Sequence, residues 1–207
     1  MRVLLYGGTF DPPHEGHINL LRSAAQAVQP DRTILMPAGV PPHKAASATP
    51  APLRLAMCRC FVQAWPGVQI SDWEISRKGK SYTIDTVRML GQRYPGARLY
   101  LCVGGDMLES FQNWRSWREL LARCVLVAHC REDADQLPFR QAARQLEQEG
   151  GKVLLLRARV VPQASTQLRR RILEGQSPWG LLPPATARVV ERYRLYRPET
   201  IAQIHKE

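Results

Sequence analysis

Apolar residues fall along this chain in two rhythms. Short unbroken runs occupy Val3–Tyr6, Thr33–Met36, Val68–Ile70, Arg98–Val103, Val125–Ala128 and Val153–Leu156. Between them lie amphipathic segments of helical length, about Gly16–Gln29, Ala51–Trp65, Thr83–Tyr94 and Phe139–Gln148. A strand that is apolar on both sides needs cover on both faces, and strands alternating with helices form parallel sheets. The pattern therefore predicts an α/β fold, a parallel sheet with helices on both faces, as one domain over 1–207. In such sheets ligands gather beyond the carboxyl ends of the strands. Gly7-Gly8 and Gly104-Gly105 both follow strand runs, so both are expected at one crevice.

Composition narrows the ligand class. Lys and Arg outnumber Asp and Glu by 29 to 18, a net charge of +11 that suits nucleotides, polyphosphates or nucleic acid. From Arg157 to Arg197 there are nine arginines against Glu174 and Glu191 alone, either a solvated basic face or a ligand surface. The five cysteines (58, 60, 102, 124 and 130) are odd in number and form no C-x-x-C pair. Cys102 and Cys124 sit in apolar runs and read as buried thiols, which fits a reducing cytoplasm. The N-terminus enters a strand directly rather than a removable leader, and no run of 18 apolar residues spans a membrane.

The chemistry concentrates in Gly7-Gly8-Thr9-Phe10-Asp11-Pro12-Pro13-His14-Glu15-Gly16-His17. Two glycines let a backbone bend and approach a ligand, although a Gly-Gly turn alone is common. His14 and His17 are three apart where a helix begins, so both rings lie on one face. They are a phosphate pair, a partial metal site or two solvated side chains; no third ligand follows, which argues against structural zinc. There is no G-x-G-x-x-G fingerprint and no Walker A loop, since Glu74 stands where the glycine leading into Gly79-Lys80-Ser81 would be. Glu74–Lys80 itself reads as a strand end plus turn. The connection Pro37–Pro52, with five prolines, is a functional or a merely exposed loop carrying His43 and Lys44. Trp114 sits among polar residues, where an exposed ring could stack on a base, and Trp117 anchors a short helix. Ser165 is placed to cap a helix whose apolar face holds Leu168 and Ile172, and Arg169 beside that start suits a phosphate. Arg170 and Arg171 point elsewhere and read as solvated.

Five motifs then fall in a recognisable order: Gly7 to His17, Val40-Pro41-Pro42-His43-Lys44, Ser81-Tyr82-Thr83, Gly104-Gly105-Asp106 with Phe111-Gln112-Asn113-Trp114, and Ser165-Thr166-Gln167-Leu168-Arg169. The chain resembles the nucleotidylyltransferase superfamily, and within it the bacterial nicotinate-nucleotide adenylyltransferases. The resemblance implies a Rossmann-like sheet of the HIGH-superfamily type, with a small C-terminal helical part from about 160 completing the phosphate site. It implies ATP, with Mg2+ carried on the triphosphate and no metal ligands from the protein, and nicotinate mononucleotide as acceptor. Gly7, Gly8, Thr9, Phe10, His14, His17, Gly104, Asp106, Ser165 and Arg169 would bind ATP, with His14, His17 and Arg169 catalytic. His43, Lys44, Tyr82, Thr83, Trp114 and Arg115 would bind the acceptor, Trp114 by stacking and the N–H groups of Thr83 and Arg115 by meeting its carboxylate. The family's Ile-Ser-Ser-Thr-x-Ile-Arg departs here at Gln163 and Ala164. Neither nucleic acid nor membrane is expected as a partner. Related readings are the same transfer to nicotinamide mononucleotide or phosphopantetheine, cytidylyl transfer, and RNA binding through the basic C-terminal third.

Overall fold

All six apolar runs become strands, and all pair in parallel. β1 (Arg2–Gly8), β2 (Arg32–Pro37), β3 (Val68–Ile70), β4 (Arg98–Val103), β5 (Cys124–Cys130) and β6 (Lys152–Arg157) form one sheet in the order β3-β2-β1-β4-β5-β6. This computed structural model describes residues 1–41, 49–130, 136–157 and 161–198; the predicted His43 and Lys44 lie outside them. β1 extends beyond its apolar run, because Gly7 and Gly8 stay in register with Met36 and Pro37. The two glycines thus close the strand rather than follow it.

Alternation divides the strand side chains between two cores. Val3, Leu5, Met36, Leu101 and Leu126 pack beneath α4 (Thr83–Arg93), α6 (Trp117–Arg123) and α7 (Gln136–Gln148). Leu4, Tyr6, Leu35, Cys102 and Val127 face α1 (Glu15–Val28) and α3 (Arg59–Ala64). Each fully buried leucine in these layers contributes about 2 kcal/mol of transfer free energy. The order in which strands are added reverses between β1 and β4, and a crevice opens beyond the carboxyl ends of strands at such a point.

The segment Ala51–Trp65 is not one helix. It divides at Cys58 into α2 (Ala51–Met57) and α3, because the Cys58 N–H is shared between the carbonyls of Arg54 and Leu55, each at 3.2 Å. That sharing tightens the turn and redirects the chain. Three further elements lie outside the predicted segments: α5 (Gly105–Glu109), the 3-10 turn Phe111–Asn113, and α9 (Pro184–Arg192). α8 (Ser165–Leu173) and α9 dock on α2 through a third core of Met57, Leu168, Ile172, Ala187, Val190 and Tyr196. The C-terminal helical part therefore rests on the helix that follows the long Pro-rich connection. Among the described residues no helix is long and apolar enough to cross a membrane.

Candidate active site

The loop from β1 to α1 is built around two rings. Phe10 stands at φ 51°, in the left-handed region, and a Cβ on Gly8 would lie 2.8 Å from its ring. The ring is buried against Tyr6, Phe61 and His17. The resemblance puts Phe10 among the ATP contacts; its side chain is core instead, which leaves only its main chain for a ligand. Gly8 is glycine because of that ring.

His14 and His17 do meet at the start of α1, with ring centroids 3.7 Å apart and planes at 31°. His14 is the residue preceding the helix, and its N–H donates to His17 Nδ1 at 3.3 Å. An Nδ1 that accepts leaves the proton of the neutral ring on Nε2, so His17 presents an Nε2–H donor. The His14 ring is buried, its Nδ1 has no hydrogen-bond partner, and burial lowers its pKa to about 4. Gly16 is squeezed: a Cβ there would sit 3.0 Å from both His14 Nδ1 and the Val161 carbonyl.

The C-terminal part fastens this loop from the other side. Arg169 Nη1 donates to the Asp11 carbonyl at 2.7 Å, and Ser165 Oγ donates to the Pro12 carbonyl at 2.9 Å. Ser165 is the first residue of α8, and Ala164 occupies the capping position, so the predicted cap is corrected. The Ser165 hydroxyl is free to reach Pro12 because it does not close its own helix. At the departure from the family pattern, Gln163 Oε1 accepts the Glu15 N–H at 3.1 Å and so satisfies a donor at the start of α1. Tyr196 OH donates to Asp11 Oδ1 at 2.5 Å inside the third core, where burial and then the Asp11 carboxylate push the phenol's pKa up. Arg170 and Arg171 turn away to Glu174 and Gln176, as expected.

Just after β4, Gly104 precedes α5, and Asp106 is exposed in its first turn. A Cβ on Gly104 would come within 2.9 Å of Asp106 Oδ1, so the carboxylate lies back over the strand end. The acceptor candidates also come together. The Arg115 guanidinium stacks over the Tyr82 ring at 4.6 Å, and Tyr82 and Trp114 pack against the same core. Thr83 opens α4, where helix geometry leaves main-chain N–H groups without intrahelical acceptors. Trp114 is half-buried rather than exposed, 5.1 Å from Phe111, so one part of its surface is already occupied. Trp117 begins α6 and packs on the core as an anchor.

Three residues escape sequence reasoning. Glu74, which reads as part of a turn, is a buried carboxylate that accepts from Thr86 Oγ1 at 2.5 Å, and burial raises its pKa against the opposing bonds from Thr86 and Ser81. Nothing in its charged surroundings marks it. Tyr196 carries a faint signal, an apolar Leu195-Tyr196 pair in a basic stretch. Arg54 carries a clearer one, a lone charge in Leu53-Arg54-Leu55-Ala56-Met57; it is 2% exposed. Among the described residues no group of three or more His, Cys, Asp or Glu is gathered as for a metal ion.

A model of the cytidylyltransferase-like family matches residues 5–171. A Gemmatimonas aurantiaca protein named "probable nicotinate-nucleotide adenylyltransferase" is 37% identical over 199 residues, covering 95% of this chain and 93% of its own. A Laribacter hongkongensis protein of the same name is 35% identical, covering 96% of each chain. Among solved structures, Plasmodium falciparum nicotinic acid mononucleotide adenylyltransferase complexed with NaAD superposes with a TM-score of 0.75 at 16% identity, over 94% of this chain and 97% of that one. That likeness bears on the fold.

Proposed function

This chain belongs to the cytidylyltransferase-like family and, within it, to the nicotinate-nucleotide adenylyltransferases, and from that premise we propose how its residues divide the reaction. It is a nucleotidyltransferase of NAD biosynthesis: the adenylyl group of ATP passes to nicotinate mononucleotide, giving nicotinate adenine dinucleotide and pyrophosphate. The observation that carries the assignment of roles is the start of α1, where paired imidazoles and helix N–H groups meet a loop held by Arg169 and Ser165.

In this reading the 5′-phosphate of nicotinate mononucleotide attacks the α-phosphorus of Mg-ATP in line. A P–O bond forms to the acceptor as the bond to pyrophosphate breaks. The attacking oxygen is already anionic near neutral pH, so no general base is required, and catalysis is positioning plus charge neutralisation. His17 donates its Nε2–H to the α- and β-phosphate oxygens. His14, neutral in the free protein, gains affinity for a proton when the polyanion arrives beside it. Arg169 faces the leaving pyrophosphate, and Asp106 the ribose hydroxyls. Mg2+ enters as part of the substrate, with its waters and phosphate oxygens as ligands.

On the acceptor side Trp114 stacks on the pyridine, while the Thr83 and Arg115 N–H groups meet its carboxylate; His43 and Lys44 attend the phosphate. Two N–H donors favour a carboxylate over a carboxamide, whose NH2 would set donor against donor. The cytoplasm is the proposed compartment, since Cys58, Cys60, Cys102 and Cys124 are buried free thiols.

Pyrophosphate release from Mg-ATP, with nicotinate or nicotinamide mononucleotide as acceptor, tests the reading. Wild type should turn over the acid far faster than the amide, and His17→Ala should lose about 10²–10³-fold in kcat. Equal rates with both acceptors would overturn the donor account at Thr83 and Arg115. No turnover with either would overturn the function.

A further inference from the structure

Arg54 is the largest fully buried side chain among the described residues, and the reaction as derived above does not use it. Its guanidinium bonds to main-chain carbonyls: Nη1 to Thr9 at 2.8 Å, Nη2 to Gly39 at 3.0 Å and Nε to Thr49 at 3.3 Å. Burial disfavours the charge and lowers its pKa, and the field of Asp11 partly offsets that. A cation kept in such a place needs a reason, because an apolar side chain would fill the volume without the desolvation cost.

The three carbonyls supply one. Thr9 lies in the donor loop between Gly8 and the histidines. Gly39 and Thr49 stand on either side of His43 and Lys44 along the chain. Gly39 is also gripped from the opposite side: its N–H donates to Ser81 Oγ at 3.0 Å, and a Cβ on it would lie 2.4 Å from the Glu74 carbonyl. Ser81 N–H in turn donates to the Val40 carbonyl at 2.8 Å, and the next residues are the acceptor candidates Tyr82 and Thr83. A short polar path thus runs from Thr9 through Arg54, Gly39 and Ser81 to the start of α4.

We infer that Arg54 is a positioning residue that sets the ATP half of the site against the nicotinate mononucleotide half, touching neither substrate. The inference rests on the functional reading above. The three carbonyls are met by three different nitrogens held in one plane; a lysine ammonium keeps the charge but gathers its donors on one atom and loses the fork. In-line transfer is sensitive to such registration, since a misplacement of about 1 Å can cost about 10²-fold in rate.

The test measures single-turnover rate, equilibrium binding of each substrate separately (a non-hydrolysable ATP analogue and nicotinate mononucleotide), and thermal unfolding, in wild type, Arg54→Lys and Ser81→Ala. The expected result is an Arg54→Lys rate reduced by about 10²-fold with both affinities within about threefold of wild type. Ser81→Ala, which cuts the same path at a half-buried hydroxyl, should show the same pattern more weakly, about tenfold. If Arg54→Lys fails to fold, Ser81→Ala alone decides. Unimpaired rates in an active background overturn the positioning role, as do losses of rate and both affinities in proportion to lost stability. A wild type inactive with both substrates overturns the functional reading, and the positioning role with it.

Discussion

His14 is a base held neutral by its surroundings, and this gives the protein a specific sensitivity to acid. Its folded pKa of about 4 lies below the unfolded 6.5, so between those values the unfolded chain binds more protons. Stability contributed by this group is full above about pH 6.5 and is lost as pH falls towards 4, by up to about 3 kcal/mol. Urea unfolding at pH 7, 5.5 and 4.5 should show that slope, and His14→Asn should flatten it. Two residues on, Gly16 is fixed by space rather than by conformation, with the His14 ring and the Val161 carbonyl each 3.0 Å from where a methyl group would stand. Gly16→Ala is expected to cost about 1–3 kcal/mol in thermal unfolding, and to lower turnover further because what must move is the imidazole. The pairing of His14 with His17 was readable from sequence because the two are three residues apart, whereas the Val161 carbonyl over Gly16 was not. Arg54 and Glu74 were not, because what they bind is main chain or a hydroxyl brought in by the fold.

At the level of elements, strands and long helices were legible since burial on two faces, or on one stripe, imposes a period. The boundaries that failed have local hydrogen-bonding causes: the shared N–H at Cys58 that divides α2 from α3, and the Ser165 hydroxyl spent on Pro12 rather than on its own helix. α9 is short and amphipathic within a segment dominated by arginine, and its apolar side is explained by α2, α3 and α8 packed against it. Its neighbour Tyr196 makes a strong prediction. Tyr196→Phe removes the donor to a buried Asp11 oxygen and should destabilise the protein by about 1–3 kcal/mol in chemical denaturation. Because Asp11 also presents its carbonyl to Arg169, affinity for a non-hydrolysable ATP analogue should fall with it.

Across the whole molecule, the strand order places the ends of β1 and β4 side by side, in a chain whose net charge is +11. Charge of that size draws in a polyanion over a screening length of about 8 Å at physiological salt. The KM for Mg-ATP should therefore rise between about 50 and about 500 mM salt, more steeply than the KM for the singly phosphorylated acceptor. A flat response would mean that local contacts alone hold the triphosphate.

The bond between Asp11 and Tyr196 joins residues 185 apart. Closing so large a loop is entropically costlier than the shorter-range pairings of the sheet and comes after them. During synthesis, the donor loop leaves the ribosome well before Ser165, Arg169 and Tyr196, the groups that steady it. A nascent chain can thus assemble its strands before it can hold ATP, so the competence to use nucleotide waits on the C-terminal helical part.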